Sequence, residues 1–340
     1  MTTPRFRPLP QTGAPRPADA LPLAGGPHWF AEAVELRPDA PPRLVRTGEI
    51  PEATLSRLTA PRPPVAGLTL DRPRLMGVVN VTPDSFSDGG RHMRPEDAVA
   101  RVEAMLAAGA DILDIGGEST RPGAEPVPEA VERDRVLPVI AALRGRGVTA
   151  PISIDTRNAA VARAAFAAGA TLFNDVSALT HDPDSLAAAA EGGWPVCLMH
   201  ARGDPRTMQD APAYGDVVLE VADYLEARVA AAEAAGIPRA RILVDPGIGF
   251  GKTVAHNLAL VRSLSVLHGL GCGLLIGASR KRFIGTIGGA EEPARRVPGS
   301  IAVALEALRQ GAQVIRVHDL EETRQAVALW RALNFGEDRT

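Results

Sequence analysis

Cysteine is almost missing from this sequence: Cys197 and Cys272 are the only two in 340 residues. Cys197 lies in the apolar run 195–199, Cys272 sits among glycines, and no CxxC pair occurs. Neither a disulfide framework nor a thiolate zinc site is expected, and both thiols read as reduced core or loop residues. A large charge of one sign is missing too. A formal net charge of −3 offers no footprint for nucleic acid or an anionic membrane surface. No uninterrupted apolar run approaches the roughly 20 residues of a membrane-spanning helix. The first 18 residues carry Arg5, Arg7 and Arg16 without an acid, but they hold no secretory apolar segment. Their prolines (Pro4, Pro8, Pro10, Pro15 and Pro17) oppose an amphipathic transit helix. A flexible extended arm on a cytoplasmic protein is the expectation.

Three catalytic signatures are also lacking. No GxGxxG follows the first strand candidate, so a doubly wound dinucleotide fold is the weaker alternative. The glycine-rich stretch 245–252 fails the GxxxxGK[ST] spacing, because only three residues separate Gly247 from Gly251. No GxSxG nucleophile elbow occurs.

What is present is a regular alternation. Residues 1–70 are proline-rich and weakly periodic; within them 28–37 and 43–50 read as two short strands of a small hairpin. Over 71–340 the pattern changes. Apolar runs at 75–80, 112–116, 152–155, 172–175, 195–200, 241–245, 273–277 and 314–318 read as eight strands. Helical stretches at 95–108, 157–168, 214–235, 256–268, 294–310 and 320–333 lie between them, several ending at a glycine (Gly109, Gly169, Gly236, Gly269, Gly311) as C-caps do. The fold class is therefore α/β, a (β/α)8 TIM barrel with a proline-rich N-terminal extension. Every strand ends in polar residues: Asn80, Asp114, Asp155, Asn174 with Asp175, His200, Asp245, Ser279 to Lys281, and Arg316 with His318. One such residue would be a helix cap or a turn former; Asp155 and Asp245 each admit that reading. Eight in register describe one functional wall, at the face where barrel active sites lie.

The motifs on that wall resemble those of the dihydropteroate synthases. MGVVNVTPDSFSDGG at 76–90 and DIGGESTRPG at 114–123 are long and specific. IDT at 154–156, FNDVS at 173–177, LMH at 198–200, DPGIGFGK at 245–252, SRK at 279–281 and IRVHD at 315–319 follow in the family's order, and the likeness spans about residues 74–334. The resemblance implies an enzyme that joins a pterin pyrophosphate to para-aminobenzoate with Mg²⁺, as a homodimer. It implies pterin contacts at Asp155, Asn174, Asp245, Lys281, Phe250 and Met199. Pyrophosphate contacts would fall at Asn80, Thr120, Arg121, Arg316 and His318, with Asn80 also on the metal. The aminobenzoate pocket would hold Phe86, Thr120, Pro122, Lys281 and Arg282, and Asp88, Arg121 and Lys281 would complete the reacting centre. Arg282 departs from the family, many of whose members carry serine there. The glycines of 247–251 are expected to let the backbone pass close beneath the pterin, and Lys252 reads equally well as a site residue or a turn residue.

Two other readings share these motifs in part. A pterin-dependent methyltransferase domain working with a cobalamin partner would need neither the 76–90 signature nor SRK. A non-catalytic pterin-binding paralogue would be marked by lost loop or phosphate residues, and none is lost. The chemistry fits transfer to an amine: an aniline nitrogen is nucleophilic at neutral pH, so no serine or cysteine nucleophile is required.

The segments 82–90 and 119–128 are polar, and ordering them has a cost that few apolar contacts repay. A diphosphate engaged by Arg121 would lower that cost. Aminobenzoate, and the sulfonamides that mimic it, should therefore bind about 5- to 150-fold tighter with Mg²⁺ and pyrophosphate present. Calorimetric titration checks this, and Arg121→Ala should erase the difference. Equal affinities in wild type would mean a preformed pocket.

Overall fold

The computed structural model describes residues 4–81, 95–118, 125–203 and 207–336. Ahead of the barrel come β1 (Arg5–Pro8), β2 (Leu21–Pro22), β3 (Trp29–Phe30), β4 (Glu32–Arg37), β5 (Ala40–Arg46) and the helix α1 (Glu52–Thr59). The expected hairpin is present as β4 and β5, turning at Pro38 and Asp39. The expected flexible arm is not an arm: β1 pairs antiparallel with β4 along Arg5 to Pro8. The alternation in Arg-Phe-Arg-Pro explains why, since Phe6 and Pro8 face inward while the arginines face out. Pro41 and Pro42 lie on the edge strand β5, where an absent N–H breaks no ladder and discourages pairing with another chain. Phe6, Leu23, Phe30, Ala33, Val45, Ile50 and Leu58 form this module's own core.

The barrel follows: β6 (Arg74–Asn80), α2 (Pro95–Ala107), β7 (Ile112–Gly116), α3 (Glu129–Gly145), β8 (Ile152–Asp155), α4 (Ala159–Ala167), β9 (Leu172–Asp175), α5 (Ser185–Gly192), β10 (Val196–Met199), α6 (Val217–Ala234), β11 (Ile242–Asp245), α7 (Val254–Arg262), β12 (Gly273–Ile276), α8 (Arg282–Gly288), α9 (Val297–Arg309), β13 (Val314–Val317) and α10 (Leu320–Phe335). The eight strands β6 to β13 are parallel and close on themselves through the β13–β6 pair. Helices α3, α5 and α8 were not expected from the sequence. The single helix expected at 256–268 instead stops at Arg262 and continues as a 3-10 turn, Leu264–Leu270.

Alternation along each strand sorts side chains into two cores. Leu75, Leu113, Ile154, Phe173, Leu198, Val244, Leu274 and Ile315 face the helices. Met76, Ile112, Leu172, Cys197, Leu243, Leu275 and Val314 fill the barrel's base, closed from below by Val65 and Leu70. Two residues beyond this basal layer, on the same faces, stand Asp114, Asn174, Met199, Asp245 and Arg316. An apolar floor under a polar mouth is thus a consequence of period two.

The N-terminal module is tied to the barrel by polar bonds of two kinds. Arg5 bridges Asp223 at 2.7 Å and Glu226 at 2.5 Å on α6, with Asp223 56% exposed. Arg62 is 8% exposed. It donates to the carbonyls of Arg57 and His268 at 2.9 Å and of Ala60 at 3.0 Å. Arg62→Ala strands the buried His268 carbonyl and should cost about 2–4 kcal/mol, whereas Arg5→Ala, whose partners Asp223 and Glu226 are 56% and 37% exposed, should cost under about 1 kcal/mol. Denaturant unfolding of both variants checks the order; equal losses would contradict it.

Candidate active site

Three charged groups and an amide meet across the barrel mouth. Arg316, from β13, donates through Nε to Asp114 Oδ2 at 2.6 Å and through Nη2 to Asp155 Oδ2 at 2.8 Å. Asn174, from β9, donates its amide to both Asp114 oxygens at 3.3 Å. Asp114 is wholly buried. The other oxygen of Asp155, Oδ1, is buried with no hydrogen-bond partner. Burial, and then the Asp114 charge, push the Asp155 carboxyl up to about 7. Burial works against the charge on Arg316, but Asp114 and Asp155 outweigh it and hold the guanidinium above its ordinary range. Asp245 lies on the same side, its carboxyl raised by burial against the pull of Lys281, and its Oδ1 accepts the Gly247 N–H at 2.7 Å. Gly277 lies between Arg316 and Asp245: a methyl there would make ordinary contacts with them, at 3.6 Å and 3.7 Å.

The loop after β11 wraps this wall. Its glycines, expected from the sequence to let the backbone pass beneath a ligand, here also make a close approach to protein. A Cβ on Gly247 would fall 1.9 Å from the His200 carbonyl oxygen, and one on Gly251 2.4 Å from that of Arg202, both at left-handed φ. The loop therefore presses against the end of β10. Lys252 is buried there, with its ammonium 2.9 Å from His200 Nδ1 and donating to the carbonyls of Phe250 at 2.9 Å and His200 at 3.3 Å. Burial and the nearby Lys281 draw Lys252 down to about 7; burial and Lys252 draw His200 down to about 3, so His200 is the neutral acceptor. Lys281 reaches from the far side. Its ammonium donates to the Ile248 carbonyl and lies 4.5 Å from the centre of the Phe250 ring, with its pKa lowered by burial to about 8.

Asn80 ends β6 and His318 follows β13, on neighbouring strands. The His318 N–H donates to Ser279 Oγ at 3.2 Å, and its ring Nδ1 lies 3.0 Å from the same hydroxyl. Met199 is buried at the end of β10, and Arg282 is exposed at the start of α8. Of the expected site residues, Asp155, Asn174, Asp245, Lys281, Phe250 and Arg316 converge. Arg316 faces inward, to Asp114 and Asp155. Phe86, Asp88, Thr120, Arg121 and Pro122 lie outside the described residues. The sequence reading missed the pairing role of Asp114 and the His200–Lys252 contact. The Asp114 position among the strand ends was the available signal; the His200–Lys252 contact left none.

The family model described as pterin binding enzyme matches residues 76–318. The dihydropteroate synthase of Escherichia coli K12 is 47% identical over 265 residues, covering 78% of this chain and 93% of that protein. The Xanthomonas albilineans dihydropteroate synthase solved with 4-aminobenzoic acid superposes with a TM-score of 0.75 at 52% identity, covering 81% of this chain and 98% of that one. The same enzyme in complex with 7,8-dihydropteroate gives 0.73 at 49%, covering 80% and 98%. The chain belongs to the dihydropteroate synthase family of pterin-binding enzymes.

Proposed function

We propose that this chain condenses 6-hydroxymethyl-7,8-dihydropterin pyrophosphate with para-aminobenzoate, giving 7,8-dihydropteroate and pyrophosphate. The observation that carries it is the convergence of Asp155, Asn174, Asp245 and Lys281 on one mouth with Arg316. A pterin edge presents N–H donors beside a carbonyl acceptor, and these groups complement it: carboxylates and an amide for the donors, the Lys281 ammonium for the carbonyl. Family members solved with 4-aminobenzoic acid and with 7,8-dihydropteroate support the substrate pair.

In the reaction the amine lone pair attacks the pterin methylene carbon, the carbon–oxygen bond breaks toward the diphosphate, and the new ammonium loses a proton. Asp155 and Asp245 favour the positive charge that develops on the methylene and spreads into the pterin. Arg316 and His318 donate to the departing diphosphate, with Phe250 packing against the ring and Met199 beneath. Asp88, Thr120 and Arg121 complete the closed site, while Phe86, Pro122 and Arg282 flank the aminobenzoate.

A magnesium ion fits this arrangement in one way. Among the described residues no group of three or more His, Cys, Asp or Glu side chains could hold a metal. Asn80 offers a hard amide oxygen beside the diphosphate donors, which suits an ion held mainly by substrate phosphate and water. When bound it neutralises charge on the leaving group. The same reading makes the enzyme a cytoplasmic homodimer. Leu329 and Leu333, one helical turn apart on α10 and 62% and 76% exposed, support such a contact.

Purified protein with Mg²⁺ and both substrates should form dihydropteroate. Asp245→Ala leaves the donors of the bound pterin unpaired, so kcat/KM should fall by about 2–4 kcal/mol of transition-state stabilisation with folding unchanged. No product from wild type overturns the function; a loss below threefold in the variant overturns the role of Asp245.

A further inference from the structure

Between β12 and α8 the chain turns so that Lys281 points into the site, and the residue carrying the turn is not glycine. Arg280 sits at φ 60°, a left-handed conformation that a side-chain-bearing residue keeps only when its surroundings hold it there. Its surroundings do. The Arg280 N–H donates to Ser300 Oγ at 2.9 Å, and its carbonyl accepts from Arg296 Nη1 at 2.8 Å. Its Nε donates to Asp319 Oδ2 at 3.0 Å, and Nη2 makes a second bond to Oδ1 of the same carboxylate. Asp319 occupies the N-cap of α10 yet makes no side-chain cap bond. Its buried carboxylate serves Arg280 instead.

Three consecutive residues therefore act in three directions. Ser279 holds His318, Arg280 holds Asp319, and Lys281 runs past Gly249 to the Ile248 carbonyl and the Phe250 ring. The path is narrow: a Cβ on Gly249 would fall 2.9 Å from Lys281 Cδ. A forked guanidinium–carboxylate pair fixes orientation as well as distance, so it defines how the β12 loop sits on the β13 loop.

We propose that Arg280 is a positioning residue for the reaction: its two-pronged pair with Asp319 latches the β12 loop to the β13 loop and delivers Lys281 to the substrate. This rests on Lys281 contacting the pterin, as read above.

Glycine adopts φ 60° freely, so Arg280→Gly removes the latch without straining the turn. Asp319→Asn breaks the same pair from the other side and leaves the turn untouched. Both variants should lower kcat/KM for the pterin pyrophosphate by roughly 10- to 100-fold, the size expected when a positioning contact is lost. Both variants should still fold cooperatively, Arg280→Gly with a lowered unfolding midpoint because the buried Asp319 carboxylate loses its partner; KM for aminobenzoate should change less, and Arg280→Lys should recover part of the loss. In a Lys281→Met background Arg280→Gly should cost under about twofold, because the group it positions is gone. An undiminished loss in that background, or wild-type constants in both single variants, overturns the latch. A crystal structure of Arg280→Gly tests it without turnover: the Lys281 ammonium should leave the Ile248 carbonyl, and its staying there refutes the proposal. Failure of the wild-type protein to form dihydropteroate would instead count against the function itself.

Discussion

Asp114 and Asp155 share one guanidinium, that of Arg316, at 2.6 and 2.8 Å across the barrel mouth. Two carboxylates this close to one another and this far from water would not both remain ionised alone. The bridge lets them stand together, and it ties β13 to the adjacent strands β7 and β8, which β13 reaches only because the barrel closes. Asn174 braces Asp114 from β9. On the proposed reading, a substrate that brings N–H donors to Asp155 takes over part of this pairing, and Arg316 turns its remaining donors to the diphosphate. Substrate binding then exchanges one set of charge-assisted bonds for another rather than burying new charge.

The rest of the mouth keeps this array in place by close backbone contact. Gly247 and Gly251 let the β11 loop lie against the carbonyls that end β10, where any side chain would collide. Lys252 then fills the gap with an ammonium that has three acceptors in reach. Such a loop has few ways to relax, which suits a site whose readers must hold their geometry before substrate arrives.

Much of this was legible in the sequence, for identifiable reasons. Each barrel strand carries a short apolar run before its polar end, and several helices end at a glycine of positive φ, so the β/α count follows from local signals. Helix α3 was obscured by Pro138 in its interior, and α5 and α8 by lengths of eight and seven residues. Strand β1 was hidden by Pro8 and the flanking Pro4 and Pro10; its pairing with β4 is long-range and leaves no local trace. In the site, Asp155, Asn174 and Asp245 were visible because strand ends share one face. The Arg316–Asp114 bond, the His200–Lys252 contact and the Arg280–Asp319 latch each join distant segments, and only the closed barrel reveals them.

The charge balance around Arg316 makes a direct claim about protons. Burial and Asp114 hold Asp155 at about 7 in the free protein, while a pterin donor edge favours its carboxylate. Below pH 7 the free protein carries a proton that the complex does not, so affinity should rise with pH by up to about tenfold per unit and level off above about 7. The ligand of choice is 6-hydroxymethyl-7,8-dihydropterin, which has no phosphate to titrate, bound calorimetrically in buffers of different ionisation enthalpy. Close to one proton should be released at about pH 6 and little at about pH 8, and Asp155→Asn should abolish the difference. No release at the lower pH, or the same release from the variant, would contradict it.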